Sequence, residues 1–330
     1  MDTDAAVGGA VVLAAGIASA LLTAGARDWL KLGAILDRPG DRSSHTAPVP
    51  RGAGLVVIAV LAAAWIILAV RGAQPGDAVP VALIACALAL VSFVDDLRGL
   101  PVGVRLVAHL AAVVAALAFF PPGSLVFQGA LPPLADRAAT ALLWLWFINL
   151  FNFMDGIDGI TGVETAGIGV GVAAVSALAG AGPAWLALAA VAVAIGFLRF
   201  NWQPASVFLG DAGSVPLGYV VGWLLLVLAR HGLWAPAVIL PLYYLADATV
   251  TLARRTLRGE VIWRAHRDHF YQCALRGNDH AAVALLVLAG DAALVALAML
   301  ALVRPLIALG LAAFVTAGML AGFARRNRAR

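Results

Sequence analysis

The sequence predicts an all-α, polytopic integral membrane protein, and three observations carry that prediction. Of its 330 residues, 63% are hydrophobic and only 12% are charged, with a mean hydropathy of +0.96. A soluble domain this apolar could not cover its surface with polar groups. The apolar residues come in long runs, and about 20 such residues in a helix span a bilayer. The charge is also lopsided. With the N-terminus outside, every Lys and Arg except Arg71, Arg137, Arg230 and Arg304 falls on the inner side. That is the positive-inside bias, which sets orientation. The basic pI of about 9.6 therefore reports topology, and no nucleic-acid partner is expected.

Runs between charged or Pro/Gly-rich breaks place helices near 6–25, 53–70, 78–94, 104–120, 138–151, 161–180, 184–199, 214–229, 234–252, 281–302 and 305–323. This makes about 11 spans (10–11), with the N-terminus periplasmic and the C-terminus cytoplasmic. The first run follows Met1-Asp2-Thr3-Asp4, acidic where a secretory signal is basic, so it reads as a membrane helix. No linker, repeat or low-complexity tract divides the chain, and residues 1–330 read as one membrane domain. Longer polar stretches are 26–52 and 253–280 inside, and 121–137 outside. The outer one, flanked by Pro121-Pro122 and Pro132-Pro133, is a small hairpin or a plain loop. Cys86 and Cys273 offer neither a disulfide framework nor a metal spacing.

A carboxylate at the bilayer centre costs roughly 2.5–3.5 kcal/mol, yet three carboxylate motifs sit at breaks between the apolar runs, all on the inner face. Asp95-Asp96 closes the third helix; adjacent carboxylates raise each other's pKa unless a cation balances them, with Arg98 as the local partner. Asn149-x-x-Asn152-x-x-Asp155-x-x-Asp158 repeats a polar side chain every third residue, a rotating stripe on a helix. Gly156 and Gly159 permit close approach or a helix break. Two amides and two carboxylates suit a nucleotide's base and ribose and leave oxygen ligands for a hard cation. Gly210-Asp211-Ala212-Gly213-Ser214 opens the eighth helix, where exposed N–H groups and the helix dipole favour an anion and Asp211 suits Mg²⁺. Simple N-capping is the plain alternative.

The last inner loop reads Arg264-Ala-His266-Arg267-Asp268-His269. His266 and His269 can share a helix face beside Arg264 and Arg267. That set suits pyrophosphate better than zinc, and a basic turn on lipid headgroups fits the spacing equally well. The first inner loop, from Asp37 through His45 to Arg51 and Gly54, is rich in turn formers and phosphate donors. Asp247 lies towards the inner end of its helix, within reach of the site, and Asp291 has no sequence neighbour that explains it.

Together these blocks resemble the polyprenyl-phosphate N-acetylhexosamine-1-phosphate transferase family. The likeness comprises Asp-Arg-x-x-His…Pro-Arg-Gly, the Asp-Asp pair, Asn-x-x-Asn-x-x-Asp-Gly-x-Asp-Gly, Phe200-Asn201-Trp-Gln-Pro204-Ala205, Gly-Asp-x-Gly-Ser and the histidine loop. It implies transfer of a sugar 1-phosphate from a cytosolic UDP-N-acetylhexosamine to undecaprenyl phosphate. UMP would be released, and Mg²⁺, or Mn²⁺ in its place, would be required. On that resemblance Asp211 and Asp158 hold the metal, and Asp95 or Asp96 deprotonates or orients the lipid phosphate. Asn152, Asp155 and Asp158 serve the nucleotide and the metal surroundings, and His266 and His269 stabilise phosphate charge. Arg98 and Arg105 hold the lipid phosphate, while His45, Arg51, Asn149, Asn201, Arg264 and Arg267 complete the substrate-binding set.

The resemblance also implies the bacterial inner membrane and admits a homodimer. The peptidoglycan branch carries three consecutive histidines in its last loop, whereas this loop has His266-Arg-Asp-His269. The expectation is therefore an O-antigen, exopolysaccharide or cell-wall polymer initiating enzyme, working by direct attack of the lipid phosphate. A transporter or flippase with an interfacial acidic site is the competing class. A transporter binds at the midplane on broken helices, and a flippase needs polar groups on both faces.

Overall fold

A computed structural model describes residues 2–37, 47–71, 75–261, 266–275 and 279–328. The chain is a multi-pass helical membrane protein: eight helices among the described residues are long and apolar enough to cross a bilayer, and two shorter apolar helices accompany them. The helices are α1 (Asp2–Leu32), α2 (Gly54–Val70), α3 (Ala78–Arg98), α4 (Val102–Leu117), α5 (Pro133–Phe153), α6 (Ile160–Ala179), α7 (Ala184–Asn201), α8 (Asp211–Arg230), α9 (Trp234–Ile239), α10 (Leu242–Leu257), α11 (Phe270–Ala274), α12 (His280–Leu300) and α13 (Pro305–Arg328). Each of the eleven expected runs finds its helix. The ninth is broken: α9 stops before Pro241, which cannot donate to the ladder and disfavours helix in the residue before it, and α10 resumes at Leu242. The 121–137 stretch forms no strand. Its turn is tied to α5 by Asp136, whose carboxylate accepts the Val126 and Phe127 N–H groups.

The bundle is built around α8. Its apolar window is 94% buried, against 17% for α1 and 22% for α13, which places those two on the lipid-facing rim. Helices gain little from hydrophobic contrast inside lipid and associate through small residues and close packing. Accordingly, Gly218 and Gly222 of α8 admit Phe151 and Trp144 of α5, and the Trp144 indole N–H donates to the Tyr219 carbonyl. Helices α2, α3 and α5 pack on α8, while α6 joins α7 to α12.

A short antiparallel pair, β1 (Leu36–Asp37) with β2 (Val49–Pro50), departs from the all-helical expectation. Its backbone then zips onto the segment before α8. Phe208 N–H donates to the Pro50 carbonyl, Gly52 and Ala53 N–H groups donate to the Phe208 carbonyl, and Gly54 N–H donates to the Leu209 carbonyl. This seam carries Arg51 to the start of α8.

Candidate active site

The C-terminal ends of α3 and α5 meet the N-terminal ends of α4, α6 and α8, and the acids come together there. At the end of α3, Asp95 Oδ1 accepts the Leu100 N–H at 2.5 Å across the left-handed Gly99 turn. Its other oxygen faces Arg105 Nη1 of α4 at 3.4 Å. Asp96 points to α8 and accepts the N–H groups of Asp211 and Ala212, both at 3.0 Å. It is thus the cap of α8, and it occupies the N–H groups that the sequence reading had offered to an anion. Gly210 makes this possible: its φ is +74°, and a Cβ would lie 2.5 Å from Asp96 Oδ2.

Arg51 Nη2 bridges Asp96 Oδ1 at 2.5 Å and Asp211 Oδ1 at 3.0 Å. Arg105 Nη1 reaches Asp211 Oδ2 at 3.8 Å. Arg98, the expected partner of the acidic pair, is exposed and makes no ion pair among the described residues. Burial by itself would lower the Arg51 pKa. The carboxylates of Asp96, Asp211 and Asp37 more than offset that and raise it, so the guanidinium stays charged.

The Asn-x-x-Asn-x-x-Asp-x-x-Asp stripe divides in two. Asn149 and Asn152 lie in α5, which ends at Phe153; Asp155 and Asp158 lie in the following loop. Asn152 Oδ1 accepts the Ser214 hydroxyl of α8 at 2.6 Å, and Asn149 Nδ2 is spent on the Leu145 carbonyl. Asp155 Oδ1 accepts the Thr161 hydroxyl at 2.6 Å. Its carboxyl is pushed up to about 6 by burial and by repulsion from Asp211 and Asp96, against the pull of Thr161 and Arg51.

Asp158 turns away from this group: Oδ2 accepts the Ala205 N–H at 3.0 Å, and Oδ1 lies 3.2 Å from His280 Nδ1 at the start of α12. The sequence reading placed Asp158 beside Asp211 as a metal ligand, whereas here it braces the loop. Asn201 is another brace, accepting Gly159 N–H and donating to the Val207 carbonyl.

The histidine loop is irregular at 266–269, and α11 begins only at Phe270, so the two histidines share no helix face. Their rings stack instead, with centroids 5.0 Å apart. Asp247 of α10 organises this loop. One oxygen faces His269 Nδ1 at 3.2 Å and accepts the Phe270 N–H, and the other accepts the Tyr271 N–H. Such a carboxylate fixes the orientation of an imidazole.

His266 is pushed down to about 4 by burial, then by His269 and Arg255, with Asp268 opposing. In this state it is an uncharged hydrogen-bonding group. Arg267 is exposed. His45 and Arg264 lie outside the described residues. Tyr271 closes the circuit, donating its hydroxyl to the Phe153 carbonyl and packing on Gly156.

Asp95, Asp96, Asp155 and Asp211, with Asp37 beside Arg51, face two guanidinium groups among the described residues. The carboxylates outnumber the guanidinium groups, which leaves oxygen atoms free to take a hard cation. Among the described residues no three His, Cys, Asp or Glu side chains form a metal cage. A donor set of one or two carboxylates completed by substrate phosphates is the Mg²⁺ pattern, and Asp211 and Asp155 fit it.

A groove of about 360 Å³ runs from these groups between α3, α4, α5 and α8. Asp95, Arg105, Asn149, Asn152 and Asp211 form its polar head, and Leu106, Leu142, Trp146 and Val215 are among its apolar walls. Four groups here were not legible from spacing: Thr161, Tyr271, His280 and the Asp247–His269 pairing. In that pairing both partners carried a signal, Asp247 as an acid in an apolar run and His269 in the histidine loop, but their contact did not.

The glycosyl transferase family 4 model matches residues 78–229, the stretch from α3 through α8 that supplies most of this site. The chain is 26% identical over 255 residues to the "Probable undecaprenyl-phosphate N-acetylglucosaminyl 1-phosphate transferase" of Bacillus subtilis, covering 73% of this chain and 70% of that protein. It is 26% identical to the decaprenyl-phosphate N-acetylglucosaminephosphotransferase of Mycolicibacterium smegmatis, over 67% of this chain and 61% of the relative. It is 29% identical to the phospho-N-acetylmuramoyl-pentapeptide-transferase of Lacticaseibacillus paracasei, over 62% and 68%.

Proposed function

Because this chain belongs to glycosyl transferase family 4, among the polyprenyl-phosphate hexosamine-1-phosphate transferases, we propose that it transfers an N-acetylhexosamine 1-phosphate from a UDP-sugar to undecaprenyl phosphate. The reaction releases UMP at the inner face of the bacterial cytoplasmic membrane and initiates a lipid-linked glycan of the O-antigen, exopolysaccharide or cell-wall class. One observation carries the reading: an excess of carboxylates, partly balanced by Arg51 and Arg105, heads an apolar groove. A transporter has no need of that arrangement at the ends of helices. The positive-inside charge bias supports the orientation.

Phosphoryl transfer needs charge neutralisation and in-line positioning more than covalent help. The tail of the acceptor lies in the groove, whose head group Arg105 holds the lipid phosphate, while Asp95 fixes Arg105 and orients the acceptor. Trp146 also lines a second apolar cavity, of about 430 Å³, between α5, α8 and the α9–α10 break, which extends the path for a long tail. An acceptor phosphate oxygen forms a bond to the β-phosphorus of the donor. The bond from that phosphorus to the bridging oxygen breaks, and its electron pair leaves with UMP.

Asp211 and Asp155 would hold Mg²⁺, which supplies Lewis-acid stabilisation of the diphosphate oxygens. Asp96 keeps Asp211 and Arg51 in place, and Asn152 locks α5 to α8. His269, aimed by Asp247, presents an imidazole to the donor phosphates, with His266 stacked against it.

The test is UMP release by purified protein given undecaprenyl phosphate and a panel of UDP-N-acetylhexosamines, with Mg²⁺ or EDTA. The expected result is lipid- and Mg²⁺-dependent UMP from one donor, reduced by about 100-fold or more in Asp211→Asn, the scale of losing one preorganised electrostatic group. A folded protein that yields no UMP from any donor would move the assignment to the transporter class.

A further inference from the structure

We propose that Glu164 of α6 and Asp291 of α12 form a protonated carboxyl pair inside the bundle. The pair pins α12 to α6 and so positions the Asp155–Asp158 loop. The pairing rests on the enclosure of both acids and the packing of Asp291 on α6, and its consequence for turnover rests on the transferase reading above. Both side chains are fully enclosed within helices that cross the membrane. The two carboxyls neighbour each other, and no hydrogen-bond donor among the described residues reaches any of their four oxygens.

Neither residue makes an ion pair among the described residues, so each carboxyl is left to satisfy the other, and a hydrogen bond between two carboxyls requires a proton. An unpaired charge in such surroundings is far more costly than the neutral acid. Space is made for the contact: a Cβ on Gly167 of α6 would lie 2.7 Å from Asp291 Oδ2. Among the described residues, the other titratable groups facing Glu164 are Tyr243 and Tyr244 of α10, both buried and neither a cation. The Tyr244 hydroxyl is fully enclosed without a well-formed hydrogen bond, and it lies under the influence of both Glu164 and Asp155.

The position of the pair gives it a task. Helix α6 begins directly after the Asp155–Asp158 loop, and Thr161 in its first turn donates to Asp155. Helix α12 begins at His280, which holds Asp158. The two helices are therefore tied at two levels: by His280 and Asp158 at the site, and by Glu164 and Asp291 within the bundle. Buried polar contacts of this kind join helices in membranes. The pair fixes the register in which α6 presents Thr161 and α12 presents His280. Glu164 and Asp291 are thus positioning residues.

Infrared spectroscopy of the purified protein in lipid nanodiscs at pH 7 tests the protonation directly. A protonated-carboxyl C=O band is expected that shifts in D₂O and moves again when aspartate is labelled with ¹³C at the side-chain carboxyl. It should be lost in the Glu164→Gln/Asp291→Asn double variant, and the labelling arm decides the matter if that variant fails to fold. UMP release tests the positioning role. A carboxamide replaces a neutral acid as a hydrogen-bonding group, so Glu164→Gln and Asp291→Asn should each stay within about threefold of wild type. Glu164→Ala and Asp291→Ala should lose about tenfold or more, as expected for a stranded buried polar group.

Absence of the band, its disappearance on adding Na⁺, or amide variants as damaging as alanine would each overturn the proposal. The last two results would point to an ionised pair holding a cation. A wild-type protein that shows the band but releases no UMP would leave the pair standing and remove only the transferase reading.

Discussion

The Asp155 carboxyl sits at about 6, chiefly through burial, and that value has consequences of opposite sign for activity and stability. In the proposed reaction, cation and diphosphate binding would need the anion, so UMP release should rise as pH passes through about 6. Initial rates from pH 5 to 8 would show the limb in wild type and its loss in Asp155→Asn. Stability runs the other way. The folded state holds this proton more tightly than an unfolded Asp at about 3.9, so the Asp155 contribution falls from about pH 4 to about pH 6 and is level above. Mg²⁺ held as proposed would compete with the proton for the same oxygens, and the activity midpoint should therefore move down in pH as Mg²⁺ is raised. Identical profiles for wild type and Asp155→Asn would take Asp155 out of the working site. The sequence marked this residue as polar at a helix end, but its neighbours Asp211 and Asp96 come from α8 and α3, and only their convergence displaces its pKa.

Among the elements, the contact between α11 and the Asp155 loop is the tightest test of how the histidine loop is held. A Cβ at Gly156 would overlap the Tyr271 hydroxyl and approach Gln272 Nε2 at 3.0 Å. Gly156→Ala should therefore lower stability by about 1–3 kcal/mol, the range for overpacking, and reduce turnover by displacing His269 with α11. Tyr271→Phe removes the obstructing oxygen, so the double variant should recover part of both losses in thermal unfolding and UMP release; strictly additive losses would show that the contact does not couple the two elements. The helices themselves were legible because apolar runs of span length between charged breaks leave few alternatives, and Pro241 explains the break between α9 and α10. The β1–β2 pair and its seam to Phe208 were not, since two-residue strands carry no periodic signal. Nor were the pairings of Arg51 with Asp96, Asp247 with His269 and Glu164 with Asp291. Each joins residues far apart in the chain, and helix packing, not local spacing, decides which polar groups meet.

For the whole molecule, the arrangement separates the two substrates by phase. On the proposed reaction a water-soluble donor would meet the carboxylates and the histidine loop, while a lipid acceptor would enter through the groove beside α4 and α5. Lipid tails are as apolar as the groove walls, so the groove gains little from hydrophobic contrast and selects chiefly by shape. Obstructing it should therefore weaken acceptor use without touching donor use. Leu106 lines the groove and is 42% exposed on the outer side of α4, so a larger side chain there fills the path without disturbing the core. Leu106→Trp should raise KM for undecaprenyl phosphate by about tenfold, in line with a steric cost of about 1–3 kcal/mol, while KM for the UDP-sugar stays at the wild-type value. A short-chain prenyl phosphate that ends before Leu106 should escape the effect, because its phosphate still reaches Arg105. Equal rises in both KM values would mean that the substitution disturbs the shared carboxylate site, and an unchanged lipid KM would place the tail outside this groove.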